Sequence, residues 1–161
     1  MPITPVGPLS VPLDKLADLF ASSPAFRSWT SLSTVESAKE RVYVTARSAS
    51  GSGAYIRPFV LLALVSACSI RRGGYPEGFI DILFEADVSS LTKSLPTEAY
   101  YEFANNVGLI LQDVIKASEE DGALSLDPMG FDLSMIQRSD IKEREDYFEA
   151  WFKIAFGVRS V

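Results

Sequence analysis

The chain has 161 residues with 21 acidic and 15 basic side chains, a formal net charge of −6, no histidine and one cysteine. A hydrophobic content of 47% suffices for the core of one domain and excludes disorder through the whole length. The acidic balance opposes adsorption to phosphate backbones, and the missing histidine removes the usual neutral-pH base and metal ligand. The lone Cys68 forms neither an intrachain disulfide nor a thiolate zinc site.

Pro2, Pro5, Pro8 and Pro12 make residues 1–12 an extended arm ahead of a single domain over residues 13–161. The arm has no basic residue, which does not fit a signal peptide. Leu13, Leu16, Leu19 and Phe20 then recur at helical spacing, predicting a short helix that stops near Ser22 and Ser23. Pro24 restarts a helix with Ser23 as its cap and turns Phe26 and Trp29 inward. Thr34, Glu36 and Lys39 predict one more helical turn. The alternation over Arg41–Arg47 predicts a half-buried strand with Val42, Val44 and Ala46 on one side. Ser48, Ala49, Ser50, Gly51, Ser52, Gly53 and Ala54 follow as a Gly/Ser loop with almost nothing to bury. That composition fits a loop that is always mobile and equally one that a partner orders, so these seven residues form a candidate partner-binding loop.

The centre of the sequence is an expected antiparallel hairpin, Ile56–Ile70 against Phe79–Val88, with Gly73, Gly74 and Pro76 in the connection. In its second strand Ile80, Ile82, Phe84, Ala86 and Val88 share one face, and Phe79, Asp81, Leu83, Glu85 and Asp87 the other. Pro96 opens a helix in which Tyr100, Phe103, Val107, Ile110, Leu111 and Val114 recur at steps of three and four, finished by about Ser118. Gly130–Ile141 predicts a weaker strand. Asp146–Val158 predicts a strong one, with Phe148, Ala150, Phe152, Ile154 and Phe156 on one face. The sum is an α+β domain: a largely antiparallel sheet of about five strands, short N-terminal helices, and one long helix across the sheet. The apolar run from Phe59 to Ile70 is too short to span a membrane, which takes roughly 20 residues of helix.

No motif carries catalysis. The phosphate-cradling loop ending in Gly-Lys-Ser/Thr and the Gly-x-Ser-x-Gly elbow are both absent from the sequence. Asp81, Glu85 and Asp87 lie on one strand face about 7 Å apart in turn. Such a row fits a solvated acidic face, a magnesium site or two-carboxylate hydrolase, or a wall that repels phosphate. The expectation is a noncatalytic face, no cofactor and no metal.

The succession of local patterns resembles the tail terminator (tail completion) proteins of long-tailed bacteriophages and gene transfer agents. It begins with the short helices carrying Ser22-Ser23-Pro24-Ala25-Phe26-Arg27-Ser28-Trp29, then Arg41-Val42-Tyr43, a variable loop and Arg57-Pro58-Phe59-Val60-Leu61. Gly73-Gly74, Gly78 to Val88, the helix with Phe103-Ala104-Asn105-Asn106-Val107-Gly108, and Asp146-Tyr147-Phe148-Glu149-Ala150-Trp151-Phe152 complete it. The resemblance covers most of the chain and is one of pattern and order. It implies a virion structural protein, assembled in the host cytoplasm, whose homo-hexameric ring stops tail-tube growth. Its implied partners are further copies of itself, the tail tube protein, the head connector or stopper, and DNA passing through without specific binding. It carries over no catalytic residue. Head-completion and tube proteins share parts of the pattern, and a small enzyme using Asp81, Glu85 and Asp87 stays open as a further alternative. In a ring, some of Asp81, Glu85, Asp87, Asp132 and Glu149 are candidates to face the channel; the competing assignment puts them on the outer rim.

Overall fold

The computed structural model describes residues 11–44, 55–64, 69–70, 76–87, 96–122, 124–136 and 147–158. Three short helices come first: α1 (Val11–Ser22), α2 (Pro24–Thr30) and α3 (Val35–Lys39). Leu13, Leu16, Ala17, Phe20 and Ala21 give α1 one fully buried stripe. Val11 and Pro12, expected at the end of an extended arm, instead belong to α1; the rest of that expected arm, residues 1–10, lies outside the described residues. Pro12 sits in the first turn of α1, where the missing N–H has no helical partner to lose. Ser23 caps α2 as expected, its hydroxyl accepting the Phe26 N–H at 3.1 Å, and Thr34 caps α3 through the Ser37 N–H.

The strands are β1 (Val42–Val44), β2 (Phe59–Leu64), β3 (Ser69–Ile70), β4 (Pro76–Asp87), β5 (Leu124–Ile136) and β6 (Tyr147–Val158), with α4 (Pro96–Asp121) between β4 and β5. They form one sheet in the order β1-β2-β4-β6-β5, with β3 beside β4. The hairpin is antiparallel from Phe59↔Glu85 to Leu64↔Ile80 and resumes at Ser69↔Glu77. Four residues separate Leu64 from Ser69 where two separate their partners, so the first strand is interrupted. Pro76, expected in the connection, instead opens β4 opposite Ile70. The first residue of a strand is one of the few places where a missing donor is tolerated. Gly73 and Gly74 lie outside the described residues.

One pairing departs from the antiparallel pattern: β1 runs parallel to β2, with Val42↔Val60 and Val44↔Leu62. Residues 45–58 separate the two strands, enough for the crossover of a dozen or more residues that parallel neighbours need. The other edge strand, β5, starts at Leu124 rather than Gly130. It follows Gly122, whose φ of 74° closes α4 while its N–H donates to the Ser118 carbonyl at 2.9 Å. The helix therefore runs through Asp121, past its expected end at Ser118. Pro128 and a bulge before Phe131 lie within β5. Both devices discourage another strand from adding to that edge.

One face of the sheet carries the main core. Val60, Leu62, Ile80, Ile82, Phe84, Phe148, Ala150 and Ile154 pack there against α1, α2 and α4. The helix supplies Phe103, Val107, Ile110, Leu111 and Val114, all buried, each worth about 1.5 to 3 kcal/mol before entropy is charged. Phe84 is the hub: the Phe20, Trp29 and Phe152 rings stand edge-on to it at 5.8, 5.9 and 5.8 Å.

Candidate functional site

Strand alternation sends Asp81, Leu83, Glu85 and Asp87 to the sheet face opposite the main core. On that face a smaller cluster of Phe59, Leu61 and Leu83 packs with Tyr43, Tyr55 and Trp151. Register then decides the neighbours of each carboxylate. Asp81 lies between Ala63 and Lys153, Glu85 between Phe59 and Glu149, and Asp87 beside Tyr147. Four of the five candidate acidic residues thus fall on adjacent central strands. The fifth, Asp132, is in β5 opposite Trp151.

This face is not the open acidic surface that the alternation alone predicts. Asp81 is 5% exposed and Glu85 1%, while Asp87 and Glu149 are half-buried. What makes the burial of Glu85 tolerable is Arg57, which enters from just before the start of β2. Its Nε lies 3.8 Å from the Glu85 carboxylate and its Nη1 donates to Asp87 Oδ1 at 3.2 Å. Its guanidinium also lies flat over the Tyr147 ring, 3.9 Å from the centroid. Two carboxylates on one strand face would repel each other; a shared cation turns them into a paired network. The one sequence signal for this role of Arg57 is a lone cation at the head of an apolar strand.

Arg41 fixes this entry from the neighbouring strand, donating to the Arg57 and Pro58 carbonyls at 3.4 and 3.3 Å. The Tyr43 and Tyr55 rings pack 4.5 Å apart, and the Tyr43 hydroxyl accepts the Ile56 N–H at 3.3 Å. Tyr43 and Tyr55, on either side of residues 45–54 in the sequence, thus meet in one aromatic contact on that face. The candidate loop Ser48–Ala54 itself lies outside the described residues.

Arg57 also bears on the alternative chemistry. Among the described residues, no three Asp, Glu or Cys side chains come together so as to hold a metal ion. Glu85 and Asp87 are turned toward a guanidinium. Two clefts are formed elsewhere, on either side of Pro24 at the start of α2. One is lined by Ser23, Asp113 and Lys116 among others, the second by Arg27, Ser28, Ser31 and Ser33. No helix among the described residues is long and apolar enough to cross a membrane. No family model matches the chain, and no curated protein is significantly similar to it.

Proposed function

We propose that the chain is a structural subunit of a phage neck, whose ring ends the tail tube and joins the tail to the head connector. The observation that carries this reading is the order of elements: three short helices, an edge strand, a long connection, a central hairpin, one long helix and two closing strands. It follows the succession on which the resemblance to tail terminator proteins rests. The chemistry of the sheet is compatible with it. Its buried carboxylates are paired to build the subunit, and a catalytic centre would leave them facing a cleft.

The acidic wall of such a ring takes a narrower form than the alternation implied. Asp81 and Glu85 are buried within the subunit, so Asp87, Glu149 and, in the edge strand β5, Asp132 are the members of that group left as candidates to line a channel. A like-charged wall acts over about 10 Å at moderate salt, which makes it a collective effect and no single carboxylate essential.

The experiment is removal of the protein from an assembling particle. The reading expects heads and tails that fail to join, with tails of uncontrolled length. Joined particles with tails of normal length would overturn it.

A further inference from the structure

We propose that the cleft beside the C-terminal end of α2 binds a carboxylate, and that the carboxylate comes from a second copy of this chain. The cleft has a volume of about 410 Å³ and is lined by Pro24, Arg27, Ser28, Ser31, Leu32 and Ser33. Arg27 is its cation, and among the described residues no carboxylate pairs with it. Its one hydrogen bond is a long donation from Nη1 to the Ser33 carbonyl, at 3.4 Å. Its Nε is buried with no acceptor.

Of the other half-buried cations, Arg41 likewise donates to backbone carbonyls, while two have carboxylate partners. Lys39 holds Asp14 and Asp18, and Arg57 holds Glu85 and Asp87. In a chain with 21 acidic and 15 basic residues, carboxylates are in surplus, yet among the described residues none pairs with Arg27. A guanidinium cannot shed its proton to escape the cost of partial burial. Among the described residues the long bond to the Ser33 carbonyl offsets little of that cost.

A second departure from local stability meets Arg27 in the same cleft. Ser31, the residue that ends α2, has φ 58° and is the one non-glycine residue at positive φ among those described. The Leu32 N–H donates to the Arg27 carbonyl at 3.0 Å, as in helices closed by a left-handed residue. Glycine fills that role without strain. Serine fills it at a cost and adds a third side-chain hydroxyl to the cleft wall. An unpaired guanidinium with hydroxyls around it recognises an oxyanion, and the fork of Arg matches a carboxylate in two-point contact.

Charge complementarity selects the source. One cation in a chain of net charge −6 cannot hold a nucleic-acid backbone, whose binding takes several neutralised phosphates. Another copy presents exposed carboxylates in excess. Glu119 and Glu120 are examples, exposed in the last turn of α4, where they oppose the helix dipole and gain from an external cation. A patch on one copy that receives a different patch of the next makes the head-to-tail contact from which rings close. The proposal rests on the ring reading only in requiring that the chain assemble with itself.

Sedimentation of the wild-type chain, Arg27→Gln and Arg27→Lys across a concentration range tests it, with thermal unfolding of each as the control for folding. The expected result is assembly by the wild type, at least tenfold weaker association for Arg27→Gln, and partial retention by Arg27→Lys. The midpoint of Arg27→Gln should be no lower than that of the wild type, because the charge it removes has no carboxylate partner among the described residues. Arg27→Gln assembling as tightly as the wild type would overturn the carboxylate site and leave the ring reading standing. A wild type that stays monomeric throughout would overturn both. Should inorganic phosphate bind at Arg27 without competing with assembly, the cleft is a small-anion site and the second copy is not its occupant.

Discussion

The Ser23 hydroxyl donates to the Asp113 carboxylate at 2.6 Å, joining the cap of α2 to the middle of α4 across 90 positions of sequence. The same oxygen accepts the Ala25 N–H at 3.2 Å, so one carboxylate on the long helix serves two donors at the start of the short one. Hydrogen bonds to a charged group are stronger than neutral ones, and Ser23 is itself buried. Asp113→Ala should therefore cost about 2 to 3 kcal/mol, and Asp113→Asn less, since one acceptor survives. Denaturant unfolding measures both. Equal midpoints for wild type and Asp113→Ala would mean that α2 is held by its apolar side chains alone.

Arg57 is expected to matter more than any single carboxylate it touches. Removing it leaves Glu85 buried beside Glu149 without that cation, and stripping one partner from a buried ion pair costs about 3 to 5 kcal/mol. Arg57→Met should approach that figure, whereas Glu85→Gln should lose less, because Arg57 keeps Asp87. The reverse order would place the weight of the network on Glu85.

Lys39 gives the fold a dependence on alkaline pH. Burial by itself would lower its pKa, but the hydrogen bond to Asp18 and the charges of Asp18 and Asp14 outweigh that and raise it above the usual lysine value. A raised folded-state pKa means that the clamp stabilises fully below the unfolded value, about 10.4, and is lost as pH rises through the folded one. The difference in unfolding midpoint between wild type and Lys39→Met should be flat around neutrality and shrink above about pH 10.4. A difference that is unchanged in strong alkali would assign the effect to the methylenes of Lys39.

Gly108 interrupts the middle of α4 on its exposed side, and a Cβ built there meets nothing within 4 Å. Glycine in a helix interior costs roughly 0.5 to 1 kcal/mol relative to alanine. Gly108→Ala should stabilise the isolated chain by that amount, raising its midpoint by about 2 to 4 °C for a domain of this size. A lowered midpoint would show a neighbour that the open position does not reveal.

Where local spacing governs structure, the sequence was legible. The stripe of α1, the Ser23 cap, the helical turn after Thr34, the inward row Ile80, Ile82, Phe84 and Ala86, and the alternation of β6 all follow from periodicity and capping chemistry. Other features depend on partners remote in sequence. Glu85 reads as a surface residue until Arg57, Phe59 and Glu149 are set beside it. Asp113 reads as a polar position on an amphipathic helix until α2 is docked onto it. The parallel placement of β1 is invisible because a long connection can return to either end of a strand. Leu124 to Asp127 precedes the expected strand Gly130–Ile141, and the edge position of β5 is what makes Pro128 acceptable within it.

The central claim is that this chain works as a ring. Imaging the purified protein by electron microscopy, with its mass taken by sedimentation equilibrium on the same sample, tests that most directly. The account predicts closed rings with the mass of a hexamer, or a concentration-dependent association that ends in them. A single species with the mass of one chain at every concentration, and no ring in the images, would contradict it.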